Sequence, residues 1–506
     1  MKLIRTLLLA GIATGMCSTA LYAADYYVLA ATPGAVAGTP LAAISLQAGA
    51  TVKQTRLQTN VNQRGNTAGK WVMVGQAPVT TSSTAAPSSL TRTSLATDTS
   101  AVTTAAALAA PAAGTTFNSF DALEQSGKLQ GGDRVFLRAG YHGPLSVNDL
   151  DFATPVTIAG MPGETAHVES LNVLNSSNLV FRDLKVWAMS ANAGSAALVR
   201  TYPGSNNITF ANLDVRSTAD AVNYLQWSLA TWRANKRSGF LLDGDHISVI
   251  GNRVTGAYNT IIAQGKNALV ENNIVDGFAG DGMRALGDFS TVRGNKIQNC
   301  HDTDATHDDG FQSYSRGANG STGTSTVFNL TLENNKIYEW NASVPNVIPC
   351  KLQGIGMFDG MYENVVIRNN LVVVSHWHGI TIAGGRKVVI ANNTVVNPKG
   401  IKGNAPWIKI APHKNGTPPT DVMVANNTVN WLDVNVNASR NVATANNVVV
   451  TQSNLEFTSV ANRDFTLLPT AKSADAATAM YATPVDIAGV PRPKGKAPDV
   501  GAYESQ

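Results

Sequence analysis

Val365-Val366-Ile367-Arg368-Asn369-Asn370-Leu371-Val372-Val373-Val374 is one instance of a phrase that recurs along the chain: an apolar-polar alternation ending in Asn, followed by a second short apolar run. The same phrase surrounds Asn252, Asn273, Asn295, Asn335, Asn393, Asn427 and Asn447, so successive Asn residues lie 21, 22, 40, 35, 23, 34 and 20 apart. A base period near 21 with occasional insertions marks a solenoid, whose coils bury their apolar faces only by stacking on one another. The repeated segments alternate with period two and are rich in Val, Ile and Thr, which makes them strands rather than helix pairs. A coil of about 20 to 25 residues holds three short strands and their turns, so the expected fold is all-β, a right-handed parallel β-helix. Asn suits a bend between strands, because it tolerates left-handed backbone and its amide can bond to the same amide in the next coil.

At 506 residues with 44 Gly and 14% charged residues, the chain is long enough for one extended solenoid plus appendages. No central run approaches the ~20 apolar residues of a membrane span. Lys2 and Arg5 precede an apolar stretch from Leu7 to Ala13, and Leu21-Tyr22-Ala23 offers a small residue for cleavage. Residues 1–24 are therefore expected to be a signal peptide that sends the chain outside the cell or to the periplasm. Cys17 would leave with it, and Cys300 and Cys350 would either pair in an oxidising compartment or stay as buried thiols. Removing Lys2 and Arg5 takes the formal charge from +4 to +2. Overall charge thus selects no partner, and a monomer with neither a nucleic-acid partner nor a membrane span is expected. Residues 25–78 read as a short N-terminal β-containing segment, with strand-like pieces at Tyr26-Tyr27-Val28-Leu29 and Trp71-Val72-Met73-Val74. Residues 79–115, dominated by Ala, Thr and Ser, read as a disordered linker, 116–460 as the solenoid and 461–506 as a closing segment.

Aligning the strand that precedes each Asn phrase predicts two outward columns. One runs Leu241, Ile262, Arg284, Gln312, Gly356, Thr381, Lys409, and the other Ser238, Asn259, Asp281, Asp309, Gln353, His378, Pro406. Coils stack ~4.8 Å apart, so Asp281 and Asp309 are expected as close neighbours, with Arg284 and Gln312 beside them. Adjacent carboxylates repel, which raises one pKa or recruits a cation; a calcium held by Asp281 and Asp309 is the expected cofactor. The turn before them, His301-Asp302-Thr303-Asp304-Ala305-Thr306-His307-Asp308-Asp309, is dense in carboxylates and imidazoles but matches no zinc spacing. Asp302 and Asp304 suit the turn itself, whereas His307, Asp308 and Asp309 enter a strand. Tyr314, Trp377 and Trp407 are candidate plates for sugar rings, and Gln312, Gln353, Arg386, His413 and Lys414 candidate polar contacts.

The opening coils, from Phe120-Asp121-Ala122-Leu123 through Gly131-Gly132-Asp133-Arg134-Val135-Phe136-Leu137 to Pro155-Val156-Thr157-Ile158-Ala159-Gly160, resemble those of secreted β-helix polysaccharide lyases of the pectate lyase-like superfamily. The resemblance continues in Gly489-Val490-Pro491-Arg492-Pro493 and Asp499-Val500-Gly501-Ala502-Tyr503-Glu504. It implies a carbohydrate-active enzyme that cleaves an acidic, uronic-acid-containing polysaccharide by β-elimination. Such an enzyme must neutralise the substrate carboxylate, remove the C5 proton and protonate the leaving oxygen. Arg284, Lys409, Gln312 and a bound calcium suit neutralisation; His378, Lys409 or His307 suits the base. In motif order the chain is also similar to polygalacturonases, through Asp281-Gly282, Asp308-Asp309, His378-Gly379 and Ile408-Lys409. That likeness implies hydrolysis, with Asp308 as general acid and Asp281 and Asp309 positioning water. It departs at Ala279-Gly280, at the intervening coil of Gln353 and at Trp407, where polygalacturonases carry Arg. A C5-epimerase would use nearly the lyase's groups, and a non-catalytic glycan-binding β-helix is the remaining alternative.

Overall fold

The computed structural model describes residues 23–31, 114–189, 197–399 and 405–505. The chain divides into two units, one formed by Met1–Thr32 with Ala101–Gln506 and one by Pro33–Ser100, and every described residue lies in the first. The expected signal sequence up to residue 22, Trp71-Val72-Met73-Val74 and nearly all of the expected linker lie outside the described residues. No helix among the described residues is long and apolar enough to cross a membrane.

Three long parallel sheets, of 15, 12 and 11 strands, run the length of the solenoid. Each coil contributes one strand to each sheet, as in Met361–Arg368, Leu371–Val373 and His378–Ala383. Inward residues alternate with outward ones along the strands, and the inward set forms one continuous core from Tyr26 to Val442. Aromatic rings stack within it, with Phe181 and Phe210 centred 5.5 Å apart.

Between the first two strands of each coil the repeated Asn residues form a ladder. Nδ2 of Asn252, Asn273, Asn295, Asn335, Asn370, Asn393 and Asn427 each donates to Oδ1 of the next at 2.9–3.0 Å. The left-handed backbone falls one residue earlier than the sequence pattern implies. Asn272, Asn334, Asn369, Asn392, Asn426 and Asn446 carry φ between 50° and 58°, and Gly251 and Gly294 take the same role in their coils. Each bend therefore needs two residues, one to turn the backbone and one to join the ladder.

The solenoid also starts earlier than residue 116. Asp25–Val28 pairs in parallel with both Thr115–Phe117 and Arg134–Leu137 and lies within the first sheet. Tyr26 and Val28 enter the core, which is why this strand is not a separate segment. At the other end, the expected boundary at 461 falls inside an antiparallel pair, Phe457–Ser459 with Asp464–Leu467, whose Phe457 and Phe465 share a small second core. Cys300 and Cys350 form a disulfide. The long intervals accommodate inserted loops at both edges of the 11-stranded sheet, and one earlier coil inserts two short helices, Ala219–Gln226 and Leu229–Ala234.

Candidate active site

The 11-stranded sheet forms the floor of the site. Its pairing register reproduces the first predicted column coil by coil: Leu241, Ile262, Arg284, Gln312, Gly356, Thr381 and Lys409 are successive partners. Asp433 extends the column by one coil and Arg200 precedes it. In the second column Asp309 pairs with Gln353, but the partner of His378 is Trp407, not Pro406. The register shifts between His378 and Ile380, and that irregularity swings Trp407 alongside the imidazole.

The three carboxylates are buried rather than solvent-facing. Asp281, Asp308 and Asp309 are 2%, 5% and 0% exposed. Asp281 is fully engaged: Oδ2 takes the Arg284 guanidinium and Oδ1 accepts the Asp309 N–H at 3.0 Å. Asp308 Oδ2 lies 3.3 and 3.6 Å from the Cys350 and Cys300 sulfurs. Those sulfurs are bonded to each other, so they neither donate to the carboxyl nor join it in holding a metal, close as the three groups are. Burial, then the charges of Asp281, Asp302, Asp304 and Asp309, pushes Asp308 up to about 8.

Asp309 carries the only exposed titratable partner of the three. Its Oδ2 accepts from His307 Nδ1 at 2.9 Å and from Gln312 Nε2 at 3.0 Å, while Oδ1 has no partner. A Cβ on Gly356 would sit 2.5 Å from that oxygen, so only glycine fits the facing strand there. Burial raises the pKa of Asp309, opposed by the His307 hydrogen bond, and the Asp281 charge raises it further. In return the bond to Asp309 is the largest cause holding His307 above the ordinary imidazole range. The His307 side chain is 59% exposed. With Nδ1–H donated to a carboxylate, the lone pair of Nε2 is left for solvent or substrate.

The loop that carries His307 is pinned from beneath. Arg233 Nε donates to the Thr303 carbonyl at 3.0 Å, Lys236 meets Asp304 at 2.9 Å, and Tyr258 Oη donates to Asp304 at 2.7 Å. Burial would push Asp304 up, but hydrogen bonds from Thr306, Lys236 and Tyr258 outweigh it and hold the carboxyl below its usual range. The disulfide ties the start of the same loop to the inserted Glu339–Lys351 segment.

His378 is the complement of His307. Trp407 Nε1–H donates to Thr381 Oγ1 at 2.9 Å, and Thr381 Oγ1 lies 3.0 Å from His378 Nδ1. The indole is donor only, so the threonine hydroxyl proton is free to donate to Nδ1 in the tautomer that carries the imidazole proton on Nε2. Burial, then the charges of His376, Lys409 and His307, lowers His378 to about 4. His376, stacked on it with centroids 5.1 Å apart, is likewise lowered to about 4, first by burial.

Contacts and register thus gather Asp281, Arg284, His307, Asp308, Asp309, Gln312 and Gln353 at the starting edge of the floor, with His378 and Trp407 following in the same column. Tyr314 ends its strand, its ring 6.0 Å from the Arg284 guanidinium. Lys409 is held by Asp433 at 2.6 Å. Arg386 is not on the floor: it belongs to the 15-stranded sheet and pairs with Glu363 at 2.7 Å. His413 and Lys414 lie in the turn beyond the finishing edge, where Lys414 pairs with Asp359. Sequence reasoning missed the linking role of Thr381 and the pair Trp431 and Asp433. Carrying the strand alignment one coil further, onto Trp431-Leu432-Asp433-Val434, finds the last two.

The donor set does not suit calcium at Asp281 and Asp309. Calcium takes about six to eight oxygen ligands. Here both Asp281 oxygens and one Asp309 oxygen are already engaged, which leaves Asp309 Oδ1 as the one unpartnered oxygen of that pair.

A family model described as a right handed beta helix region matches residues 238–410. Among solved structures, the chain is similar to the pectate lyase Pel9A at 15% identity with a TM-score of 0.35, over 78% of this chain and 92% of that one. It is similar to the A-module of the Azotobacter vinelandii mannuronan C-5 epimerase AlgE6 at 15% identity with a TM-score of 0.37, over 66% of this chain and 94% of that one. A PL6 alginate lyase in complex with a trisaccharide is similar at 15% identity with a TM-score of 0.36, over 73% of this chain and 91% of that one. No curated protein matches the sequence.

Proposed function

We propose that the protein is a carbohydrate-active enzyme that cleaves an acidic, uronic-acid-containing polysaccharide by β-elimination, with His307 as the base. The observation that carries this reading is an exposed imidazole hydrogen-bonded at 2.9 Å to a fully buried carboxylate, Asp309. The carboxylate orients the ring and makes Nε2 a stronger base, the arrangement that general-base catalysis uses. His307 Nε2 removes the proton from C5, the C–H electrons form the C4–C5 double bond, the C4–O bond breaks, and the leaving oxygen takes a proton from water. Arg284, half-buried, keeps Nη1 available beyond its bonds to Asp281 and faces the substrate carboxylate. His378 Nε2–H serves as a neutral hydrogen-bond donor to the developing negative charge.

One observation favours hydrolysis instead. A carboxyl raised to about 8, as in Asp308, is protonated at neutral pH and suits a general acid. Its seat against the disulfide argues for elimination as the first reading. An epimerase would use the same base and return the proton to the opposite face. The experiment is to incubate the protein with a panel of uronate polymers and follow ultraviolet absorbance, new reducing ends and chain length. Absorbance with new ends supports β-elimination; ends alone transfer the reading to a hydrolase; altered uronate stereochemistry without shortening gives an epimerase. No change with any polymer overturns the enzymatic reading.

A further inference from the structure

Beyond His378 the starting edge of the floor changes character. Trp407 and Trp431 are successive partners in the column that begins with His378, and Trp377 precedes the His378 strand. Trp377 and Trp431 are each 48% exposed, although a solenoid face needs no exposed indole for stability. The rings form a continuous row: Trp377 to Trp407 is 6.0 Å between centroids with planes 11° apart, and Trp407 to Trp431 is 5.1 Å at 72°. Lys409 lies 4.7 Å from the centre of the Trp407 ring and is paired with Asp433, so an ion pair borders the row. Toward the other end of the same column stand Asp281, Asn259 and Ser238, none of them aromatic.

We infer that Trp377, Trp407 and Trp431 form an extended binding platform for successive sugar rings of a uronate chain lying along the solenoid axis. Three features select that occupant. The row joins the proposed site at His378, whose ring centre lies 5.0 Å from that of Trp407, so a chain lying on one lies on the other. Its ring-to-ring spacings of 6.0 and 5.1 Å follow the coil spacing of ~4.8 Å, so one indole recurs per coil along the axis. Apolar sugar faces meet the exposed indoles of Trp377 and Trp431. The platform occupies one side of the His307–Asp309 pair alone. Counting coils from Asp309 through Gln353, His378 and Trp407 to Trp431 gives a reach of about 19 Å at that spacing. Binding is therefore asymmetric about the bond that reacts, and substrates that reach Trp431 are favoured over shorter ones.

This inference rests on the uronate reading of the site, but its test does not depend on turnover. Full-length protein is titrated with polygalacturonate and with alginate, and binding is followed by intrinsic tryptophan fluorescence and by retardation in gels containing each polymer. Wild-type protein should bind at least one of them, Trp431→Ala should bind about tenfold more weakly, and Trp431→Phe should recover part of the loss. Melting temperature of each variant checks that the fold survives. In turnover assays with size-defined oligomers from dimer to octamer, Trp431→Ala should raise KM most for the longest and least for the shortest. Wild-type affinity retained in Trp431→Ala, an equal KM change at every length, or no binding to either polymer overturns the platform. Binding that depends on Trp431 without any turnover leaves the platform standing and overturns the proposed reaction instead.

Discussion

Two corners of the same coil are built from the same kinds of residue and behave in opposite ways. At the corner between the first and second strands, identical Asn side chains stack, and each ladder amide finds both its donor and its acceptor in the neighbouring coils, with only the bend residue Asn272 leaving a buried Nδ2 unpaired among the described residues of that corner. At the corner between the second and third strands, Asp281, Asp309 and Gln353 follow one another without repeating, and Asp309 Oδ1 and Gln353 Oε1 are left buried with no partner. The first corner takes no insertion in the coils from Asn252 on, whereas the second admits the His301–Asp308 and Glu339–Lys351 loops. A repeat satisfies itself and stabilises; a broken repeat leaves polar groups unsatisfied, and their shifted protonation is what chemistry uses.

Four expected outcomes test that contrast, beginning with the largest. His307→Gln should lower turnover by about 10²–10⁴-fold with an unchanged melting temperature, since so exposed a side chain contributes little to stability. Uronate-elimination rates and thermal unfolding on one sample decide it. An equal loss in His378→Gln would erase the distinction drawn between base and donor. Asn335→Ala should do the reverse. It removes the acceptor of the Asn295 backbone N–H and side-chain amide and the donor to the Val292 carbonyl, so stability should fall by about 2–4 kcal/mol while turnover per folded molecule holds, as denaturant unfolding and active-site-normalised rates would show.

Asp309→Asn should move the pH dependence. His307 acts as base once deprotonated, so the rate rises with pH through its pKa, and the Asp309 hydrogen bond is the largest cause of that pKa being raised. Removing the charge lets the pKa fall, and the rising limb should shift to lower pH; a limb that stays in place assigns it to another group. The smallest effect is expected from chelation. Asp281 is saturated by Arg284 and by the Asp309 backbone, so exhaustive chelation should leave the rate unchanged. Loss restored by added calcium would mean that the Arg284 pair opens to admit an ion.

The repeat of apolar alternation and Asn was sufficient to read the solenoid, the ladder and the first outward column, because each depends on neighbours a fixed interval apart, and period-two strands with stacked amides have few other arrangements. The site was legible as a set of columns but not as chemistry. Asp281 and Asp309 align in the sequence, yet nothing there shows that Arg284 occupies one and His307 caps the other. Arg386 aligns with the same coils but turns onto another sheet. Burial, the irregular strand that brings Trp407 to His378, and the pinning of the His307 loop by Arg233, Lys236 and the disulfide all arise from segments far apart in the chain. The sequence by itself determined the coil and the order of its columns, since those follow from local periodicity. Only the tertiary structure decided which carboxylates are buried and which imidazole reaches solvent, because protonation depends on desolvation and on partners contributed by other coils.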